Sequence, residues 1–146
     1  MTAFTKRFSA SAFLFSSVVA MLCVLVALLS AQGKIWQIPE GAADEHSPLS
    51  PTADVLKKGG SLYNSQCAKC HGPKGLGDGP DANRKDEARR PANLTISRTL
   101  DGVMFYKIWN GRKEPDMPAF KSQMTKDDVW AVVAFVKSLS APPGAH

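Results

Sequence analysis

Cys67, Cys70 and His71 carry the plainest chemical signal in this chain of 146 residues, in the run Cys67-Ala68-Lys69-Cys70-His71. C-x-x-C-H is the attachment pattern of a c-type haem. Two thiols at this spacing reach the two vinyl groups of one porphyrin and form thioethers, and the adjacent imidazole then lies under the ring to bind iron. Covalent attachment retains a cofactor in a domain too small to hold it by packing alone. Other chemistries compete for the same residues. A thioredoxin-like redox pair needs a βαβ surround, which the sequence lacks. A structural zinc site needs four ligands in two pairs, and the other histidines, His46 and His146, lie in a Pro/Ser-rich segment and at the last position. A five-residue motif also arises by chance. The helical surround and the N-terminal segment favour haem.

The elements that must position this motif follow from hydrophobic spacing. Thr52 caps a helix with Asp54 in its first turn and Val55, Gly59, Leu62 and Tyr63 at helical intervals. Gly59 and Gly60 each cost such a helix about 1 kcal/mol relative to alanine, which points to a close crossing with another backbone. Residues 71–93 are rich in Gly and Pro and read as loop, with a polar turn somewhere in 81–90. A short helix spans about 101–110, with Val103, Met104, Ile108 and Trp109 on its apolar side and Gly111 as its stop. After a loop over 112–124, Thr125 and Asp128 form a capping-box variant. Val129, Val132, Val133 and Val136 then make an i, i+3, i+4, i+7 stripe, widened by Phe135 and Leu139. No segment alternates as a strand does. The domain reads all-α.

Charge and composition bound the rest. The chain carries 18 Lys+Arg and 13 Asp+Glu, a net +5, and is 44% hydrophobic. That apolar content excludes a wholly disordered chain, and the length excludes a two-domain enzyme. No basic stripe interleaved with aromatics marks a nucleic-acid binder. Positions 8–33 hold no charge, so residues 1–33 read as a membrane anchor or signal segment: Lys6 and Arg7, then an apolar run over 10–31. The run is long enough for an anchor, with Trp36 just beyond it at the interface; Ala31-Gln32-Gly33 offers a cleavage site for the alternative. Cys23 reads as a small apolar residue within the run. Either way the remainder is expected outside the cytoplasmic membrane, on the periplasmic side: anchored by one pass, or soluble after cleavage. Without residues 1–33 the net charge falls to +3. Residues 34–52, rich in Pro, Ser and acids, read as a flexible linker, and residues 53–146 as the functional domain.

Over most of residues 53–140 the chain resembles a class I, mono-haem cytochrome c. Gly59, eight residues before Cys67, and Tyr63, four before it, match the family's first helix; Phe135 with Val132 matches the contact made by its last. The resemblance implies a helical domain around one covalently attached haem c, bound through Cys67 and Cys70, with His71 as one axial iron ligand. For the second axial ligand the domain offers Met104, Met117 and Met124. The family's axial methionine lies in a loop before the last helix and is commonly followed by proline, which implies Met117 in Met117-Pro118; Met104 falls on a helix face, where core packing is the ordinary role. The family also implies a loop proline carbonyl accepting from the proximal histidine. Pro91 is the candidate, with Leu94 near the ring. Trp109 or Tyr106, and Arg89, Arg90 or Arg98, are candidates to approach the haem propionates, against plain roles in core and surface.

His/Met ligation closes the iron to substrate and raises its potential, which suits outer-sphere electron transfer. Lys69, Lys74, Lys107, Lys113 and Lys121 offer a basic rim for an acidic redox partner. Three functions follow: a membrane-attached electron carrier between respiratory partners, such as a quinol-oxidising complex or terminal oxidase; a fixed haem subunit of a membrane oxidoreductase; and a peroxidase or gas sensor in which the methionine leaves iron. No acid/base pair or activated nucleophile accompanies the motif, so no enzyme activity and no small-molecule substrate are expected.

Overall fold

Thr52 and Thr125 start the two long helices. The Thr52 hydroxyl accepts from the Val55 N–H at 3.4 Å. Thr125 accepts from the Asp128 N–H at 3.2 Å, and the Asp128 carboxylate accepts in return from the Thr125 N–H at 2.9 Å. That reciprocal pair satisfies two orphan donors of the helix end. In the computed structural model the described residues are 19, 21–23, 36–83, 85, 86, 89–112 and 117–140. Their helices are α1 (Ala53–Gln66), α2 (Ala68–His71), α3 (Asp101–Asn110) and α4 (Lys126–Leu139), with 3-10 turns at Ala42–Asp44 and Leu94–Ile96. Among the described residues there is no strand, only an isolated bridge between Arg112 and Met117.

The chain divides into two units, Met1–Ile35 and Trp36–His146, and these helices all belong to the second. Apart from residues 19 and 21–23, the stretch read as an anchor or signal lies outside the described residues. Among the described residues no helix is long and apolar enough to cross a membrane.

The pairing of α1 with α4, the first and last long helices, is the most extensive contact in the fold. Gly59 is the reason they approach so closely: a Cβ there would collide with the Ala131 carbonyl oxygen and lie 3.0 Å from the Phe135 Cβ. Phe135 also packs against Tyr63, with ring centroids 5.2 Å apart. Beneath the crossing, Tyr63, Val129, Val132 and Val133 are fully buried. Each such side chain contributes about 1.5–3 kcal/mol by leaving water. Phe105 stacks between Trp130 and Trp109, at centroid distances of 4.4 and 5.7 Å, and so fastens α3 to α4.

Residues 36–49, within the segment whose composition predicts a flexible linker, are laid on the helical domain instead. Ala42 is buried against α3, and Leu49 packs on the core. Trp36 is half-buried, its ring facing Lys107 and Arg112. Three apolar residues spaced without any period each find a slot on a surface already formed. That arrangement leaves no periodic mark in the sequence.

Candidate haem site

Cys67 caps the C-terminal end of α1, donating its N–H to the Tyr63 carbonyl at 2.8 Å. The chain turns immediately into α2, where the Cys70 and His71 N–H groups both bond the Cys67 carbonyl, at 3.1 and 2.9 Å. One tight turn therefore carries both thiols and the imidazole. Both thiols are free. Burial, and then the neighbouring Cys70, push the Cys67 thiol up to about 11, so it is protonated at neutral pH. Tyr63 braces the turn from below, its hydroxyl donating to the Gly72 carbonyl at 2.7 Å. Burial, with Cys67 and Asp78 adding to it, pushes that phenol up to about 12.

His71 Nδ1 lies 3.1 Å from the Ala92 carbonyl oxygen. A carbonyl only accepts, so Nδ1 carries the proton and Nε2 keeps its lone pair. Burial lowers the basicity of the ring, and the Ala92 hydrogen bond only partly offsets it; the imidazole is neutral and ready to ligate. The accepting carbonyl is a correction to the sequence reading, which implied Pro91. The Pro91 carbonyl instead lies against Gly77, where a Cβ would collide with it. With the Pro91 carbonyl taken up against Gly77, the next carbonyl, that of Ala92, is the one that reaches the ring, and the Leu94 N–H bond to the Gly75 carbonyl at 2.7 Å closes the same loop.

Cys67, Cys70 and His71 line a cavity of about 420 Å³ whose other walls include Met104 and Ile108 of α3, Val132 and Val136 of α4, and Met117. Its volume lies within the range of roughly 300–1,000 Å³ usual for cofactor sites. Pro91 and Leu94 are also in its walls, as are Arg89 and Arg90. Met117 is held by a two-bond neck: Arg112 N–H to the Met117 carbonyl at 2.7 Å, and Met117 N–H to the Arg112 carbonyl at 2.8 Å. Of the three candidate methionines, Met104 and Met117 face this cavity, whereas Met124 is buried in the core and absent from its walls.

Trp109 and Tyr106 are placed elsewhere. They line a second cavity of about 670 Å³, with Trp130, His46 and Glu45. The side of α3 that carries Met104 and Ile108 faces the thiols; Trp109, one residue beyond Ile108, is turned about 100° away. The larger cavity contains no thiol or thioether, so the chemistry belongs to the smaller one. Arg98 is outside the lining of both, and Lys113 lies outside the described residues. Two contributors escape sequence reasoning: the Ala92 carbonyl, because any residue supplies one, and Arg112, identified only by what it touches; Trp36, read in the sequence as an interfacial aromatic beyond the apolar run, lines the cavity.

The donor set suits one group. Two thiols on one turn, an imidazole with Nε2 free, a thioether and apolar walls fit a haem held covalently. The model of the cytochrome c family matches residues 56–140. No curated protein matches the chain. Among solved structures, it is similar to a chain of the reducing HAO-like protein complex of Kuenenia stuttgartiensis, at 26% identity and a TM-score of 0.56. The match covers 65% of the present chain and 48% of the other, so it spans about half of that chain's length.

Proposed function

The chain belongs to the cytochrome c family and binds haem c covalently, and from that premise we propose that it is an exported single-electron carrier working at the outer face of the cytoplasmic membrane between respiratory redox partners. The observation that carries this reading is the convergence of Cys67, Cys70, His71 and Met117 on one apolar cavity. The haem supplies a one-electron ferrous/ferric couple. Cys67 and Cys70 would hold it in place, His71 would ligate through Nε2 with its ring fixed by Ala92, and Met117 would provide the sulfur from its neck. Val132, Val136 and Ile108 give the cavity apolar walls that would keep water from a bound iron and so favour its less charged ferrous state. A site whose iron ligands both came from the protein would pass electrons without binding substrate.

Met117→Ala tests the ligand. It should lower the reduction potential, abolish the sulfur-to-iron charge-transfer band of the ferric protein and open the ferrous iron to carbon monoxide, while Met104→Ala leaves the band in place. The reverse result would move the ligand to α3.

A second reading, a fixed subunit of a membrane oxidoreductase, draws support from the similar chain being part of a multi-protein complex. It also fits a segment 36–49 that is packed down, leaving less free tether for a search along the membrane. Purification in mild detergent separates the two readings: stoichiometric co-purifying subunits would overturn the free carrier. Intact mass of the mature protein would show whether residues 1–33 are retained.

A further inference from the structure

The geometry points to Trp36 as a positioning residue for Met117, acting through Arg112; this rests on the reading of Met117 as the second axial ligand. The Arg112 guanidinium carbon lies 4.7 Å from the centroid of the Trp36 ring, and Lys107 Nζ lies 5.4 Å from it. Both cations are within the roughly 6 Å over which an indole face attracts positive charge. The ring offsets part of the repulsion between two like charges. Their proximity is felt at Lys107, whose ammonium is made more acidic by burial and then by Arg112. The electron-rich face of Trp36 is a group that both cations share.

Arg112 passes this constraint on. Its N–H and carbonyl make both bonds of the neck to Met117. The residue before it, Gly111, has φ +60, and a Cβ there would collide with the Met117 carbonyl. The neck therefore has no slack on that side, and the Met117 backbone moves when Arg112 moves. Trp36, Lys107, Arg112 and Met117 all line the one cavity, so the clamp and the thioether share a wall. Trp36 is also the first residue of its unit, directly after residues 1–35.

The test uses the full-length, haem-loaded protein with Trp36→Ala, Trp36→Leu and Trp36→Phe, alongside Met117→Ala. Two readouts are taken: the ferric charge-transfer band with carbon monoxide binding by the ferrous form, and amide hydrogen exchange at Arg112 and Met117 relative to Cys67. Trp36→Ala should weaken the band, admit carbon monoxide and speed exchange at the neck by about tenfold, the factor that an ordinary cation–π clamp supplies, with Cys67 exchange unchanged. Trp36→Phe, which keeps an aromatic face, should recover most of both signals. Trp36→Leu, which keeps only apolar bulk, should not, and it carries the same test if the alanine variant fails to accumulate. Loss of the band in Met117→Ala together with wild-type behaviour in Trp36→Ala and Trp36→Leu overturns the positioning role alone. A band that survives Met117→Ala overturns the ligand reading, and the positioning role with it.

Discussion

Replacing Gly59 with alanine sets two effects of known size against each other. Alanine at a helix interior gains about 1 kcal/mol over glycine from backbone entropy. At Gly59 the new methyl group would collide with the Ala131 carbonyl oxygen, lie 2.6 Å from that carbonyl carbon and 3.0 Å from the Phe135 Cβ. Two of those atoms are backbone of a helix that is buried through Ala131, Val132 and Val133, so relief requires α1 and α4 to separate. Forcing atoms into a close-packed contact costs typically 1–3 kcal/mol, and with backbone on the receiving side the upper end applies. The net expectation is a loss of about 2 kcal/mol, or a fall of about 10 °C in Tm for a domain of this size. Gly60 is the internal comparison. A Cβ there meets the Phe135 ring edge at 3.0 and 3.2 Å, and a ring can shift where a carbonyl cannot, so Gly60→Ala should lose less than half as much. Thermal unfolding of the haem-loaded proteins, followed by far-UV circular dichroism, measures both. A Gly59→Ala protein more stable than wild type would refute the close-approach argument, leaving helix propensity as the only effect at that position.

Other outcomes follow from the site and the helix ends. Tyr63, whose phenol is pushed up to about 12 from an ordinary 10, stabilises the fold fully below pH 10 and loses that contribution as pH rises through 12. Tyr63→Phe should cost about 1 kcal/mol near neutrality through its lost bond to Gly72 and flatten the stability profile over that interval, as read by denaturant unfolding. The Asp128 carboxylate is held down at about 2, from 3.8, chiefly by its bond to Lys58 and then by Thr125. Its stabilisation is complete above about pH 4 and disappears as pH falls through 2, so Asp128→Ala should lose about 1 kcal/mol at pH 7 and show a shallower acid limb. Cys70→Ser should leave haem attached by one bond through denaturation, whereas Cys67→Ser combined with Cys70→Ser should release it to acid extraction, with intact mass as the readout.

Features that involve neighbours in sequence were legible. The caps at Thr52 and Thr125, the span Asp101–Asn110 and the valine stripe of the last helix all appear as read, because each depends on residues within a few positions of one another. The glycine at 59 announced a crossing, since no local advantage accounts for it. What escaped depends on distance or on backbone. The carbonyl that accepts from His71 Nδ1 is that of Ala92 and not of its neighbour Pro91, and no side chain encodes it. Trp109 and Met104 share one helix, yet a difference of five residues puts them on opposite cavities. The segment before Thr52 has the composition of a tether, but Trp36, Ala42 and Leu49 fasten it, and three isolated contacts make no pattern.

The pairing of the first long helix with the last has a consequence in time. α1 and α4 are separated by some sixty residues of chain, and a ribosome delivers α1 well before its partner exists. Until Val132 and Val136 are synthesised the cavity lacks one wall, and Tyr63 and Leu62 have no cover. During that interval the thiols of Cys67 and Cys70 belong to an open, solvent-facing stretch. Burial, and then Cys70, suppress the Cys67 thiolate in the folded domain. α4 is thus the last wall of the cavity to be added, and the thiols stay open to a haem until it docks.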